Sequence, residues 1–222
     1  MKRFRLLRVA LLALLALGAF ASASASALVL PGFLTHQESF TGKSTGAEPE
    51  LELSSGAKVK CKTAPSEGTG EAGSDSLGAF HIHFTGCEQT ALKHECHSTG
   101  DANGVILVLG IWHLVYSSVS PLVVANLFLV EHFHFECSAL ASILVLGSVL
   151  CPVVDNGTSH ATWVFNCKQA KGVQEQKTYW NDAGTEVTSG LKCSVGEGAE
   201  AECGEQAAGE VTFNESVSIE NL

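Results

Sequence analysis

Residues 78–87 read GAFHIHFTGC. Within them Phe80, Ile82 and Phe84 alternate with His81, His83 and Thr85. A period of two places the first set on one face of an extended chain and the second on the other, so the stretch predicts a half-buried β-strand. Working outward, the same period recurs. EHFHFEC (131–137) sets Phe133, Phe135 and Cys137 against His132 and His134. AKVKCKT (57–63) alternates Val59 and Cys61 with three lysines, and HATWVFNC (160–167) sets Ala161, Trp163 and Phe165 against Thr162, Val164 and Asn166. EVTF (210–213) and SVSIE (216–220) alternate again, with a bulge expected at Asn214–Glu215.

Turn chemistry separates these runs. APSEGTGEAGSDS (64–76), STGDANG (98–104), DNGTS (155–159) and GEGAEAECGEQAAGE (196–210) are clusters of Gly, Ser, Asp and Asn, the residues that supply turn conformations. Three central stretches are almost wholly apolar: GVILVLGIWHLVY (104–116), PLVVANLFLV (121–130) and ALASILVLGSVLCPVV (139–154). His113, the Ser117–Pro121 segment and Glu131 interrupt them before they reach the ~20 residues of a membrane-spanning helix. Their Val, Ile, Tyr and Trp content suits strands, read here as buried on both faces, with a helix over 139–151 as the alternative. The expected fold is a single all-β domain over residues 28–222, an antiparallel sandwich or barrel of roughly ten to twelve strands with long polar loops.

Residues 1–27 have the layout of a secretory signal peptide. Lys2, Arg3, Arg5 and Arg8 precede an apolar run from Val9 to Phe20, and small residues from Ala21 to Ala27 offer A-x-A cleavage sites. Cleavage is placed near Ala27, with Ala23 and Ala25 as alternatives, and no integral membrane anchor is expected afterwards. The remaining chain keeps nine lysines, no arginine and all 23 acidic residues, a formal charge of −14. Proteins that grip nucleic acid neutralise phosphates with Lys and Arg, so nucleic acid is excluded as an expected partner. All eight cysteines (Cys61, Cys87, Cys96, Cys137, Cys151, Cys167, Cys193 and Cys203) follow the leader. An even set in an exported chain predicts four disulfides, and loop closure favours Cys87–Cys96, Cys193–Cys203, Cys151–Cys167 and Cys61–Cys137 among the many pairings open. A structural zinc site wants close pairs such as C-x₂-C, which the spacing does not provide.

Taken together, SFTGKSTG (39–46), AKVKC (57–61), SEGTGE (66–71), FTGC (84–87), HECHSTG (94–100), HFEC (134–137), VLGSVL (145–150) and GEVTFNESVSIE (209–220) resemble a family of secreted, uncharacterised proteins of soil actinobacteria. The resemblance runs from about Ser39 to Glu220 and rests on strand and turn patterns. It implies an exported β-rich domain and no activity; a place in the medium or at the cell envelope is expected from export itself. The two His-x-His pairs, and Cys151 with Cys167, depart from that pattern.

Chemistry is sparse. His81, His83, His132 and His134 form a candidate metal site, since two His-x-His strands side by side would bring four imidazoles to a zinc or copper ion. The opposing expectation is that all four occupy the wet faces of two strands. Acidic turns offering Asp101, Asn103, Glu197, Glu200, Glu202 and Glu205 lack the spacing of a calcium loop. GKSTG centres Ser44 in a G-x-S-x-G match, but an acidic, helix-poor segment follows it where a nucleophile elbow needs a helix. The sequons at Asn156 and Asn214 are read as turn and edge residues. The expected function is a non-catalytic, exported structural or binding module; extracellular zinc or copper binding is the alternative, and an unrecognised hydrolase the third.

Overall fold

The computed structural model describes residues 28, 30–33, 39–70, 76–138, 142–153 and 160–220. The signal segment 1–27 and the sequon at Asn156 lie outside the described residues. Among those described there are nineteen strands and no helix. The helical alternative for 139–151 is therefore set aside over Ile143–Pro152, which is a strand. Its β-branched residues and its two paired neighbours explain why.

β1 (Gly32–Phe33) pairs with β19 (Ile219–Glu220). The other large strands run as eight long staves, several broken at mid-height. β2 (Ser39–Ser44) and β3 (Glu50–Leu53) lie in line along one side of β18 (Ala201–Val217). β4 (Lys58–Lys60) with β5 (Ser66–Gly70) forms the second stave, and β6 (Leu77–Thr85) with β7 (Glu88–Gln89) the third. β8 (His94–Ser98) and β9 (Val105–Val119) make the fourth, followed by β10 (Leu122–Cys137) and β11 (Ile143–Pro152). The seventh stave is split. β12 (His160–Cys167) descends to mid-height, and β17 (Leu191–Val195) resumes the lane beside β11. Between them the chain makes two small hairpins, β13 (Gln169–Ala170) with β14 (Val173–Gln174), and β15 (Thr178–Trp180) with β16 (Glu186–Thr188). β18 pairs with β17 and β12 on one side and with β3 and β2 on the other, which returns the ladder to its start. The sheet is thus a closed, antiparallel, up-and-down barrel.

Closure explains which side chains are inside. Phe80, Ile106, Val108, Trp112, Phe135, Val145 and Phe213 face the interior and are buried, as the period-two pattern requires. The apolar runs were expected to be buried on both faces, and here the structure differs. Leu109 and Ile111 of β9 and Leu129 of β10 are 39 %, 43 % and 39 % exposed, because a barrel wall has only one interior side. Higher up, Val115, Ala125, Leu127 and Leu150 on the outer face are covered by Tyr179 of β15.

The interior is narrow enough that aromatic rings need space made for them. Phe40, Phe80 and Phe165 are the direct cross-strand partners of Gly68, Gly110 and Gly209. A methyl on any of these glycines would stand 2.2, 2.6 or 2.7 Å from the partner ring. Gly78 stands likewise opposite Trp112. Each large residue lies across a missing side chain, the alternation that lets a small barrel fill its taper.

All eight cysteines are paired, as Cys61–Cys87, Cys96–Cys137, Cys151–Cys167 and Cys193–Cys203. The last two match the sequence expectation. Cys87–Cys96 and Cys61–Cys137 are corrected, because partner choice follows lateral neighbours in the sheet and not loop length. Cys61 and Cys87 border one another where β4 and β7 pair, and Cys96 is the register partner of Cys137. The segments 64–76 and 196–210, expected as turns, contribute β5 and the first half of β18. The expected irregularity at Asn214–Glu215 is present: β18 slips against β12 between Thr212 and Val217.

Candidate functional site

The four histidines of the metal hypothesis are all exposed on the outer wall. His81 and His83 pair with Leu109 and Leu107 of β9, while His132 and His134 belong to β10 on the far side of β9. Two strand spacings, roughly 9–10 Å, therefore separate the pairs. His81 Nδ1 lies 3.9 Å from Glu67 of the adjoining β5. Among the described residues no group of three or more His, Cys, Asp or Glu is gathered as a metal cluster. Ser44, the centre of the G-x-S-x-G match, ends β2, and its hydroxyl accepts a hydrogen bond from the Ala64 amide at 3.1 Å.

Two polar features lie outside the barrel. Glu50 and Glu52 of β3 meet Lys58 and Lys60 of β4 at 2.7–3.1 Å, and Gln169 Nε2 donates to Glu52 at 2.9 Å from beneath the β13–β14 hairpin. Burial alone would raise the Glu50 carboxyl; contacts with both lysines outweigh it and leave the group lowered. For Glu52 the Gln169 hydrogen bond is the largest effect, opposed by burial and helped by Lys58, again leaving it lowered. Beside this cluster is a groove of about 470 Å³ that holds Lys58, Lys60, Lys62 and Lys93. Three of these lysines are already bound to Glu50, Glu52 or Glu88, so the groove offers little free positive charge.

The interior is different. A cavity of about 90 Å³ lies in the barrel, lined by Phe80, Phe84, Phe128, Phe133, Phe135 and Phe165 together with Ile82, Val108, Val130 and Val145. Each comes from the inward set of its strand. One ionisable side chain enters this apolar space from β18, Glu205. It is the cross-strand partner of Leu51 and shares its parity with the inward Cys203, Val211 and Phe213. Its amide donates to the Gln174 side-chain oxygen, whereas its carboxyl has no hydrogen-bond partner among the described residues. The residue is half-buried and borders the cavity. Desolvation pushes its pKa up to about 7.

Lys43, Ser44, Pro49 and Glu50 also border the cavity. They flank the break between β2 and β3, where the wall is interrupted beside Glu205, so the opening is a portal at the waist of the barrel. Glu205 was considered from sequence only as a loop carboxylate. Its signal was positional: Cys203, Glu205, Ala207, Gly209, Val211 and Phe213 keep one parity, but three of the six are too small or too polar to read as a buried face. No family model, curated protein or solved structure matches this chain.

Proposed function

We propose that this protein is an exported, non-catalytic binding module that takes a small apolar molecule into its barrel. The observation that carries the proposal is the phenylalanine-lined cavity with a waist portal. Binding sites are commonly concave, mostly apolar and furnished with few polar groups, and the mouths and lumens of β-barrels are frequent examples. Export is supported by the leader-like first 27 residues and by four disulfides, which persist in oxidising compartments. The family resemblance, with its implied actinobacterial origin, belongs to the same proposal.

Size sets the ligand range. An apolar cavity near 150 Å³ accepts benzene or xenon, so about 90 Å³ suits xenon or a molecule smaller than benzene. The test is xenon NMR on the oxidised protein. A saturable xenon shift that disappears in Val130→Phe, which fills the cavity, is the expected result. An unsaturable shift identical in both proteins rejects the proposal, and so does turnover of ester, peptide or glycan substrates that is lost in Glu205→Gln.

A further inference from the structure

We infer that the molecule held in the barrel is a short alkylamine in its ammonium form, its alkyl part among the phenylalanines and its nitrogen on the Glu205 carboxylate; this rests on the binding reading above. Three observations converge. First, Glu205 is the inward residue of β18 at the waist, and its carboxyl has no hydrogen-bond partner among the described residues. A lone carboxylate in an apolar enclosure is costly, and a cation that enters with its own donors offsets that cost. Second, six phenylalanine rings line the same space, and ring faces attract alkylammonium ions more than they attract neutral groups. Third, about 90 Å³ is some three times the ~30 Å³ share of a liquid water molecule, room for a chain of a few heavy atoms.

Competing classes fit less well. An organic acid would place a second negative charge beside Glu205. An alcohol can pair with the neutral carboxyl but leaves the ionised form without a counter-charge. Other charged groups at the cavity are engaged: Lys43 lies 2.8 Å from Glu210, and Glu50 lies 2.7 and 3.1 Å from Lys58 and Lys60. Leu51 is the cross-strand partner of Glu205, and Cys167, Leu191 and Ala207 line the same cavity; none of them carries charge. Glu205 therefore sets the charge preference of the interior by itself.

Since burial pushes the Glu205 pKa up to about 7, protonation competes with amine binding. The experiment is calorimetric titration of the full oxidised protein with ethylamine and with ethanol, both smaller than benzene, from pH 5.5 to 8.5. At pH 8.5 the amine is expected to bind at least about tenfold tighter than the alcohol, as one desolvated charge pair contributes more than 1.4 kcal/mol. Below the Glu205 titration amine affinity falls toward tenfold per pH unit, while ethanol affinity does not fall. Glu205→Gln removes the preference and the pH dependence, and Val130→Phe abolishes binding of both. Equal amine and alcohol affinity in the parent, or an amine preference that survives Glu205→Gln, overturns the inference and leaves the binding reading standing. Failure of ethanol, ethylamine and xenon alike brings down that reading too. Should Glu205→Gln not fold, the pH dependence in the parent, with Val130→Phe as the empty-site control, decides alone.

Discussion

Glu205 and Glu50 are both glutamates on inner strands of one sheet, and they make opposite contributions to stability. The Glu205 carboxyl loses hydration and gains no partner, so its pKa is pushed up to about 7 from the ordinary 4.5. Between those values the folded protein retains a proton that the unfolded chain has released. Stability therefore falls as pH rises from about 4.5 to 7 and stays low above, by on the order of 3 kcal/mol. Urea denaturation at pH 5 and pH 8 should show this slope, and Glu205→Gln should remove it. Glu50 and Glu52 have lowered pKa values, so their contribution is present above the ordinary carboxylate range and is lost as pH falls through their folded values. Burial sorts the apolar residues just as sharply. Phe80 is 2 % exposed and Ile111 is 43 % exposed. Phe80→Ala should cost about 3–5 kcal/mol, and Ile111→Ala less than about 1, in the same denaturation assay. The faces of β6 and of the second half of β10 were legible from alternation alone, as Phe80, Ile82 and Phe84 demonstrate. Glu205 was not, because the small residues around it conceal the period that would have placed it inside.

At the scale of the strand, glycine carries more of the design than composition suggests. In sequence Gly68, Gly110 and Gly209 look like turn residues or weak points in a strand. In the sheet each lies directly across from a ring of Phe40, Phe80 or Phe165. Gly68→Ala would put a methyl 2.2 Å from the Phe40 ring and 2.6 Å from the Ala79 carbonyl oxygen. Overpacking of this kind typically costs about 1–3 kcal/mol. A double-mutant cycle with Phe40→Leu should recover part of the loss, since the substituted side chains share one space; strictly additive melts would show that the ring is not the obstacle. Period-two reasoning identified the apolar strands but misplaced their outer faces. Hydrophobicity alone cannot distinguish a strand sandwiched between layers from one whose outer face meets solvent, and Leu109 and Leu129 are cases of the second kind.

For the whole molecule, an even cysteine count in a chain with a leader sufficed to predict full pairing, whereas connectivity needed the lateral order of staves. Peptide mapping under non-reducing conditions should recover Cys61–Cys87 and Cys96–Cys137 and no Cys87–Cys96 species. Among the described residues the backbone link between β11 and β12 is the Val153–Phe165 bridge, reinforced by Cys151–Cys167. Replacing both cysteines by alanine should lower stability by roughly 3 kcal/mol, the loop-closure value for a separation near 16 residues. The up-and-down order itself was only half legible. All-β and antiparallel follow from the pattern, but barrel closure depends on β18, whose first half resembles an acidic loop.

Every cystine joins staves that are consecutive around the wall, the second to the third, fourth to fifth, sixth to seventh, and seventh to eighth. Four of the eight seams have none, among them the seam between β2–β3 and β18, which hydrogen bonds, the Phe40–Phe213 edge contact and the Lys43–Glu210 ion pair hold. That seam also joins chain segments 150 to 173 residues apart, the kind of long-range pairing that is slow to form. The molecule thus has a built-in zipper line: amide hydrogen exchange should be fastest along Phe40–Ser44 and its partners, and a barrel that breathes will part there first.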